Sequence, residues 1–423
     1  MRRICSTAIV LALMLALVSS TGMAAKEQKV TIWGRRAYIQ EVFPAFEELM
    51  AKQGKQIKME FTQVSSTDMT TKLMSAFAAG EAPDIVMLDD ILGPYFGSIG
   101  AFADISKQSA ALPCFNELSV GMMKLGQWQG VQYLLPLFSD NSALMYNRKL
   151  FKQAGLDPNK APDTWDDFVK CAKALTMDTN KDGRIDVYGT AFAIGEADMN
   201  MFTFLPFIWS NGGDILNDNG TKCLLDQPKA VEALQFWTDL IHKHKVTPPG
   251  TTSYGYTDMY NGFATEKIAM IIGGDWMIGS LAQDAPNIDY GVAYIPRPAG
   301  SKQSASFAGG DLIGITSTSK SKDVAWEFVK FALGEQVQVE VWAKHGAIPV
   351  VKGYYRNKYF AAEPKYAEFT KTLDVAIAPF TTKYNEMYDP MLEAIQNATT
   401  LKMTPEQAFK RATQTIDRIL SQP

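Results

Sequence analysis

Apolar positions along this chain follow two rhythms, and the two alternate. Residues 29–33 (KVTIW) form a short apolar run that predicts a strand. Residues 37–52 then carry Tyr38, Val42, Phe43, Phe46, Leu49 and Met50 at helical spacing. Residues 56–62 alternate Ile57, Met59 and Phe61, as a half-buried strand does. A second helix over 67–79 stops at Gly80, and 84–88 (DIVML) reads as a buried strand running into Asp89 and Asp90. Strand, helix, strand, helix, strand predicts a parallel sheet with right-handed crossovers.

The pattern restarts after Pro136. Residues 142–146 read as a strand, and Thr164-Trp165-Asp166-Asp167 as a capping box opening a helix that buries Trp165, Phe168, Val169 and Ala172. A helix over 228–244 places Val231, Leu234, Trp237, Leu240 and Ile241 on one side. Strands follow at 267–273, 290–295 and 311–316, then a helix over 323–333 with Val324, Phe328 and Phe331. The last helix starts at Thr404 as N-cap with Pro405 in its first turn, burying Phe409, Ala412, Ile416 and Ile419. No repeat or low-complexity linker interrupts the chain. The two α/β halves are therefore expected to be joined by ordinary strands, which make a good hinge.

The first 25 residues stand outside this pattern. Arg2 and Arg3 precede an apolar run of eleven residues (8–18), and Gly22 and Ala24 suit a signal peptidase. This predicts a secretory leader, too short for a membrane helix of about 20 residues. No cysteine stands at the cleavage point for lipid anchoring, so the periplasm is the expected compartment. At 423 residues, the length allows about two to three lobes of roughly 150 residues. Cleavage removes Arg2 and Arg3 and takes the net charge from −4 to −6, which disfavours nucleic-acid binding. Three histidines argue against His-centred catalysis and multi-zinc sites. Cys5 leaves with the leader; Cys114, Cys171 and Cys223 remain, allow at most one disulfide, and are expected as reduced, mostly buried thiols.

Eight segments resemble, in order, the sugar-binding branch of ABC-transporter solute-binding proteins, the maltose-binding-protein-like family. They are GEAPDIVMLDD (80–90), LMYNRKLFKQAGLDP (144–158), TWDDF (164–168), SNGGDIL (210–216), IIGGDWM (271–277), FAGGDLIGIT (307–316), HGAIPV (345–350) and MTPEQAF (403–409). Each is weak alone; together they span nearly the whole mature chain. The resemblance implies an α/β fold of the two-lobed periplasmic-binding-protein type (type II), each lobe a sheet flanked by helices, joined by hinge strands. The expected division is 26–138 plus 292–338 for the N-terminal lobe and 139–291 plus 339–423 for the C-terminal lobe. It further implies a monomer that closes on a sugar in the cleft and delivers it to an inner-membrane permease with a cytoplasmic ATPase, without catalysis.

A sugar presents C–H faces and a ring of hydroxyls, so its binder needs flat aromatic surfaces and a few polar groups. The resemblance points to Trp276 after two glycines at a strand end, and to Tyr388, with nearby Tyr384 as substitute. Phe202 and Trp209 flank the approach to Asn211-Gly212-Gly213. Asp140 stands at the family's distance before Tyr146-Asn147, in the crossing between lobes. From position alone, Asp89 and Gln63 follow parallel strands at their carboxyl ends, where ligands bind in open sheets. Arg36, beside Arg35, sits in the loop after the first strand. Gly309, Gly310 and Asp311 form a segment whose backbone can approach a ligand closely.

Asp178, Asn180, Asp182 and Asp186 match oxygen-ligand positions 1, 3, 5 and 9 of a calcium loop with Gly183 at 6, but Gly189 stands where the bidentate Glu belongs. The loop is a candidate structural calcium site or an Asx-rich turn; no cofactor is otherwise required. Two rivals remain. A secreted glycosidase needs two carboxylates about 5–9.5 Å apart, which Asp89 and Asp140 can supply across a cleft. A glycerol-phosphate-type ligand would lean on Arg35 and Arg36.

Overall fold

The computed structural model describes residues 27–422, so the expected leader lies outside them. The first lobe opens with β1 (Gln28–Gly34), α1 (Phe43–Lys52), β2 (Ile57–Gln63), α2 (Ser66–Ala79) and β3 (Ile85–Asp89), and β1 pairs in parallel with both β2 and β3. The apolar stripe over 37–52 is two elements. Pro44 in the first turn of α1 starts that helix afresh, and Ala37–Val42 forms a separate 3₁₀ turn. Ser65 caps α2 by accepting the Asp68 N–H, and Gly80 ends it at φ +73°.

The other strands of the main sheet are β4 (Leu134–Asn147), β5 (Tyr188–Thr190), β6 (Ile268–Gly274), β7 (Tyr290–Ala293), β8 (Ser306–Ile315) and β9 (Ala376–Ile377), and a separate two-stranded ribbon pairs Gln127–Trp128 with Val131–Gln132. The later helices include α3 (Trp165–Ala174), α4 (Ala197–Ser210), α5 (Pro228–His242), α6 (Tyr256–Ala264), α7 (Trp276–Asp284), α8 (Lys322–Ala332), α9 (Tyr388–Thr399) and α10 (Pro405–Leu420). Thr404 and Gln407 cap α10 reciprocally. At α3 the cap is one-sided. Thr164 accepts the Asp167 N–H, while the Asp167 carboxylate takes the Thr164 hydroxyl instead of returning to the backbone.

One sheet runs β2-β1-β3-β8-β4-β6-β5, with β7 on β4 and β9 on β8. The strands expected at 142–146 and 311–316 are only portions of β4 and β8, which pair antiparallel from Leu134–Gly314 to Asn141–Ala308. Both strands feed two separate cores. Val30, Phe46, Met87, Leu135, Phe138, Leu312, Phe328 and Trp342 belong to the first. Met145, Phe168, Phe204, Trp237, Ile271, Phe307, Ile395 and Phe409 belong to the second.

A two-lobed α/β architecture joined by hinge strands is therefore what the chain forms. Core membership departs from the expected divisions at two places. Val292, Ile295, Ala305 and Phe307 pack with the second core, whereas Val341, Trp342, Val350 and Val351 pack with the first. At the first place the change of lobe falls inside β8, whose start packs with the second core and whose end packs with the first; at the second it falls in the helix and loop over 338–351.

Candidate functional site

A cavity of about 730 Å³ opens where the two cores meet. Its aromatic surfaces come from several elements. Trp276 does not end a strand: β6 stops at Gly274, and Trp276 is the first residue of α7. Gly274 is required there, because a Cβ would stand 2.0 Å from the indole ring. The indole packs 5.0 Å from Phe202, which in turn lies 5.4 Å from Phe307. Tyr388 at the start of α9 and Tyr384 before it meet edge to face at 5.2 Å, and both line the cavity. Tyr38, Phe138, Tyr256, Trp342 and Tyr366 add further aromatic surface.

The polar wall is mainly acidic. Asp89, Asp140, Glu196, Asp198 and Asp275 face Arg35, Arg36 and Lys344. Arg35 is committed: it pairs with Asp89 at 2.8 Å, donates from Nε to Asp311 at 2.7 Å, and pairs with Asp311 through a second nitrogen. Arg36 sits 6.0 Å over the Phe138 ring. Asp140 lies opposite Gly309 in the β4–β8 pairing, and a Cβ on Gly309 would stand 2.3 Å from the Asp140 carboxylate. Gly310 adopts φ +130°, and a Cβ there would stand 2.2 Å from the Phe138 carbonyl oxygen; the register shifts just beyond it, between Asp311 and Leu312, where Leu137 is the extra residue on β4. The glycine pair is thus the interior of a strand, not a turn entering one.

Burial dominates the acid–base character of this wall. It pushes the Asp140 carboxyl up to about 6, against the pull of Arg35. Asp275, fully enclosed, is raised well above the usual carboxylate range by burial and then by Asp140, and it accepts the Asn141 N–H at 3.3 Å. Asp90 is fully buried with neither carboxylate oxygen hydrogen-bonded, and burial raises it likewise. The wall therefore offers carboxyl groups, which accept hydrogen bonds when ionised and also donate when protonated, to hydroxyl groups that do both.

Because the folded Asp140 binds its proton more tightly than the unfolded one, its stabilising contribution is present below about pH 4 and lost as pH rises through about 6. Asp140→Asn is therefore expected to stabilise the ligand-free protein by roughly 1–3 kcal/mol at pH 8 and by little at pH 4. Urea unfolding at both pH values checks this; a variant less stable than the native protein at pH 8 overturns it.

The sequence-derived candidates divide. Trp276, Asp140, Tyr388, Asp89, Gly310, Phe202 and Arg36 line the cavity. Three do not. Gln63 is exposed at the end of β2, and its amide donates to the Arg35 carbonyl at 3.1 Å. Trp209, one α-helical turn and more beyond Phe202, turns inward against Phe307 and donates its indole N–H to Asp214 at 3.0 Å. Asp311 lies behind the wall, fully buried against Arg35. Glu196, Asp198, Tyr256, Asp275, Phe307, Tyr38 and His345 escaped sequence reasoning. Asp275 in GGDWM, Phe307 in FAGGDLIGIT and His345 in HGAIPV lie inside the segments that carry the resemblance, a signal that could have found them.

In the 178–186 loop the oxygens are engaged by the loop's own groups. Asp178 accepts from the Asp182 and Gly183 N–H groups, Asn180 from Asp182, and Asp182 from Arg184. Asp186 accepts from the Thr179 N–H at 2.9 Å and hydroxyl at 2.6 Å. These are Asx-turn bonds within the loop. Cys114 and Cys171 are half-buried and Cys223 buried, and none is in a disulfide.

Two α/β lobes, continuous hinge strands and an aromatic, carboxylate-rich cavity between them define a two-lobed solute-binding protein. The model of the family "Bacterial extracellular solute-binding protein" matches residues 34–339, and the chain belongs to that family. Its members are binding proteins that act outside the cytoplasm. A binding protein of Brucella abortus (strain 2308) is 27% identical over 418 residues, 96% of each chain. Among solved structures, maltose-bound T. maritima MalE3 is 28% identical with TM-score 0.76, covering 92% of this chain and 99% of that one. An ABC transporter solute-binding protein of Thermotoga lettingae TMO, bound with α-D-tagatose, is 25% identical with TM-score 0.77, covering 93% of this chain and 100% of that one. No helix among the described residues is long and apolar enough to cross a membrane.

Proposed function

We propose that this protein is the receptor of an ABC importer, binding a sugar in the interlobe cavity and handing it unchanged to a membrane permease and its ATPase. It acts as a monomer in the periplasm, after removal of the leader over residues 1–25. The observation that carries the reading is the pairing of Trp276, Phe202, Phe307 and Tyr388 with an acidic, donor–acceptor wall in one cavity. The maltose and tagatose bound to the two similar structures support it. Closure follows because a ligand touching both lobes binds the closed form better.

The phosphate-ester alternative fits less well. The wall holds five acids, and two of its three cations, Arg35 and Lys344, are already in ion pairs with Asp89 and Glu41. A glycosidase reading finds no support in the family, whose members are binding proteins. The 178–186 loop is read as a hydrogen-bonded turn that binding does not require to hold calcium.

A calorimetric titration with mono-, di- and trisaccharides and glycerol 3-phosphate, with and without EGTA, tests these points together. One sugar series is expected to bind at one-to-one stoichiometry, intact on chromatography and indifferent to EGTA. Saturation by glycerol 3-phosphate alone, or release of cleaved sugar, would sink the reading. An EGTA-dependent loss of affinity would restore the metal loop.

A further inference from the structure

Tyr38 is at odds with its surroundings. It is 41% exposed, yet its ring is held in a parallel stack on His345, centroids 3.9 Å apart and planes 4° apart. The backing ring is itself fixed: His345 Nε2 meets Glu41 Oε1 at 2.6 Å, and Lys344 Nζ pairs with Glu41 Oε2 at 2.8 Å. The 3₁₀ turn that carries Tyr38 is anchored by Ile39 and Val42, both buried in the first core. Tyr38, Lys344 and His345 all line the cavity. One face of the phenol is therefore sealed and the other left toward the cavity, on the lobe opposite Trp276.

We propose that Tyr38, backed by His345, is a second stacking platform that makes the cleft select a sugar chain of two or more rings over a single ring. This rests on the sugar-receptor reading above. A rigid, already ordered aromatic surface gives up little entropy when a ligand settles on it. The cavity volume of about 730 Å³ lies toward the upper part of the range of about 300–1,000 Å³ for sites of drug-sized ligands. Platforms on opposite lobes also couple ring contacts to closure, because only a ligand long enough to touch both favours the closed form through both.

The test is calorimetric titration of the native protein, Tyr38→Ala, Tyr38→Phe and His345→Ala with glucose, maltose and maltotriose, and with mannose, mannobiose and mannotriose. Unfolding curves confirm that each variant is folded. For the series the native protein binds, Tyr38→Ala is expected to lose about tenfold or more in affinity for the di- or trisaccharide and less than twofold for the monosaccharide. Tyr38→Phe should retain native affinity, and His345→Ala should lose a smaller factor than Tyr38→Ala. Equal losses for short and long sugars, or none for either, overturn the platform while leaving the sugar receptor standing. A native protein that binds neither these series nor any other mono-, di- or trisaccharide overturns both.

Discussion

Trp276→Ala is expected to weaken sugar binding by about 10- to 100-fold, or roughly 1.4–2.8 kcal/mol. The indole stands at the head of α7, directly after β6, so its backbone is fixed by a sheet on one side and a helix on the other. Phe202 holds one part of the ring, with centroids 5.0 Å apart. Flat, pre-placed and only partly buried, it can cover a sugar face with little ordering cost. Gly274→Ala is a second probe, since its methyl would collide with the indole and displace it without removing it. Affinity should fall in both variants, read by calorimetry beside an unfolding curve. Native affinity in both variants would remove Trp276 from the binding surface.

Arg35→Met is expected to cost about 3–5 kcal/mol of stability at pH 7, because it strips the cation from Asp311, a carboxylate that cannot reach water, and from Asp89 beside it. The Asp311 side chain is fully buried and that of Asp89 is 21% exposed, and both ends of the guanidinium are in use. Asp140 and Asp90 lie within the same field. With Arg35 gone, each carboxyl can shed its charge only by taking a proton. The deficit should therefore shrink as pH falls toward 4, the unfolded chain gaining less from those protons than the folded one. Urea unfolding from pH 4 to pH 8 measures this. A deficit independent of pH would show that Arg35 acts through packing of its stem and not through charge.

The two predictions concern neighbouring side chains of different legibility. Trp276 was visible in the sequence because GGDWM combines glycines, an acid and an indole where a family resemblance places a stacking ring. Arg35 was visible only as half of an Arg35-Arg36 pair, and nothing in the spacing says which of the two enters the ion cluster. That choice follows from the side each residue takes as β1 ends. Arg35 meets Asp311 and Gly310 on β8, whereas Arg36 meets Phe138 on β4. Both β8 and β4 are remote in sequence. Trp209 shows the converse error: it resembled a cleft aromatic, but its place on α4 turns it toward Asp214.

The sequence by itself determined much of the order of strands and helices, the stop at Gly80 and the caps at Thr164 and Thr404, which are local features set by side-chain periodicity and by which residues can satisfy helix ends. Trp276, Asp140 and Tyr388 were reached through a family resemblance. Only the tertiary structure decided that β4 and β8 run unbroken through both cores and that Gly309 and Gly310 are strand interior. It likewise decided that Asp89 and Asp311 share one arginine, and that Tyr38 stacks on His345 across more than 300 residues of chain. Those outcomes depend on close approach between distant segments. They are governed by room for a Cβ, by burial and by opposed charge, none of which a local pattern carries.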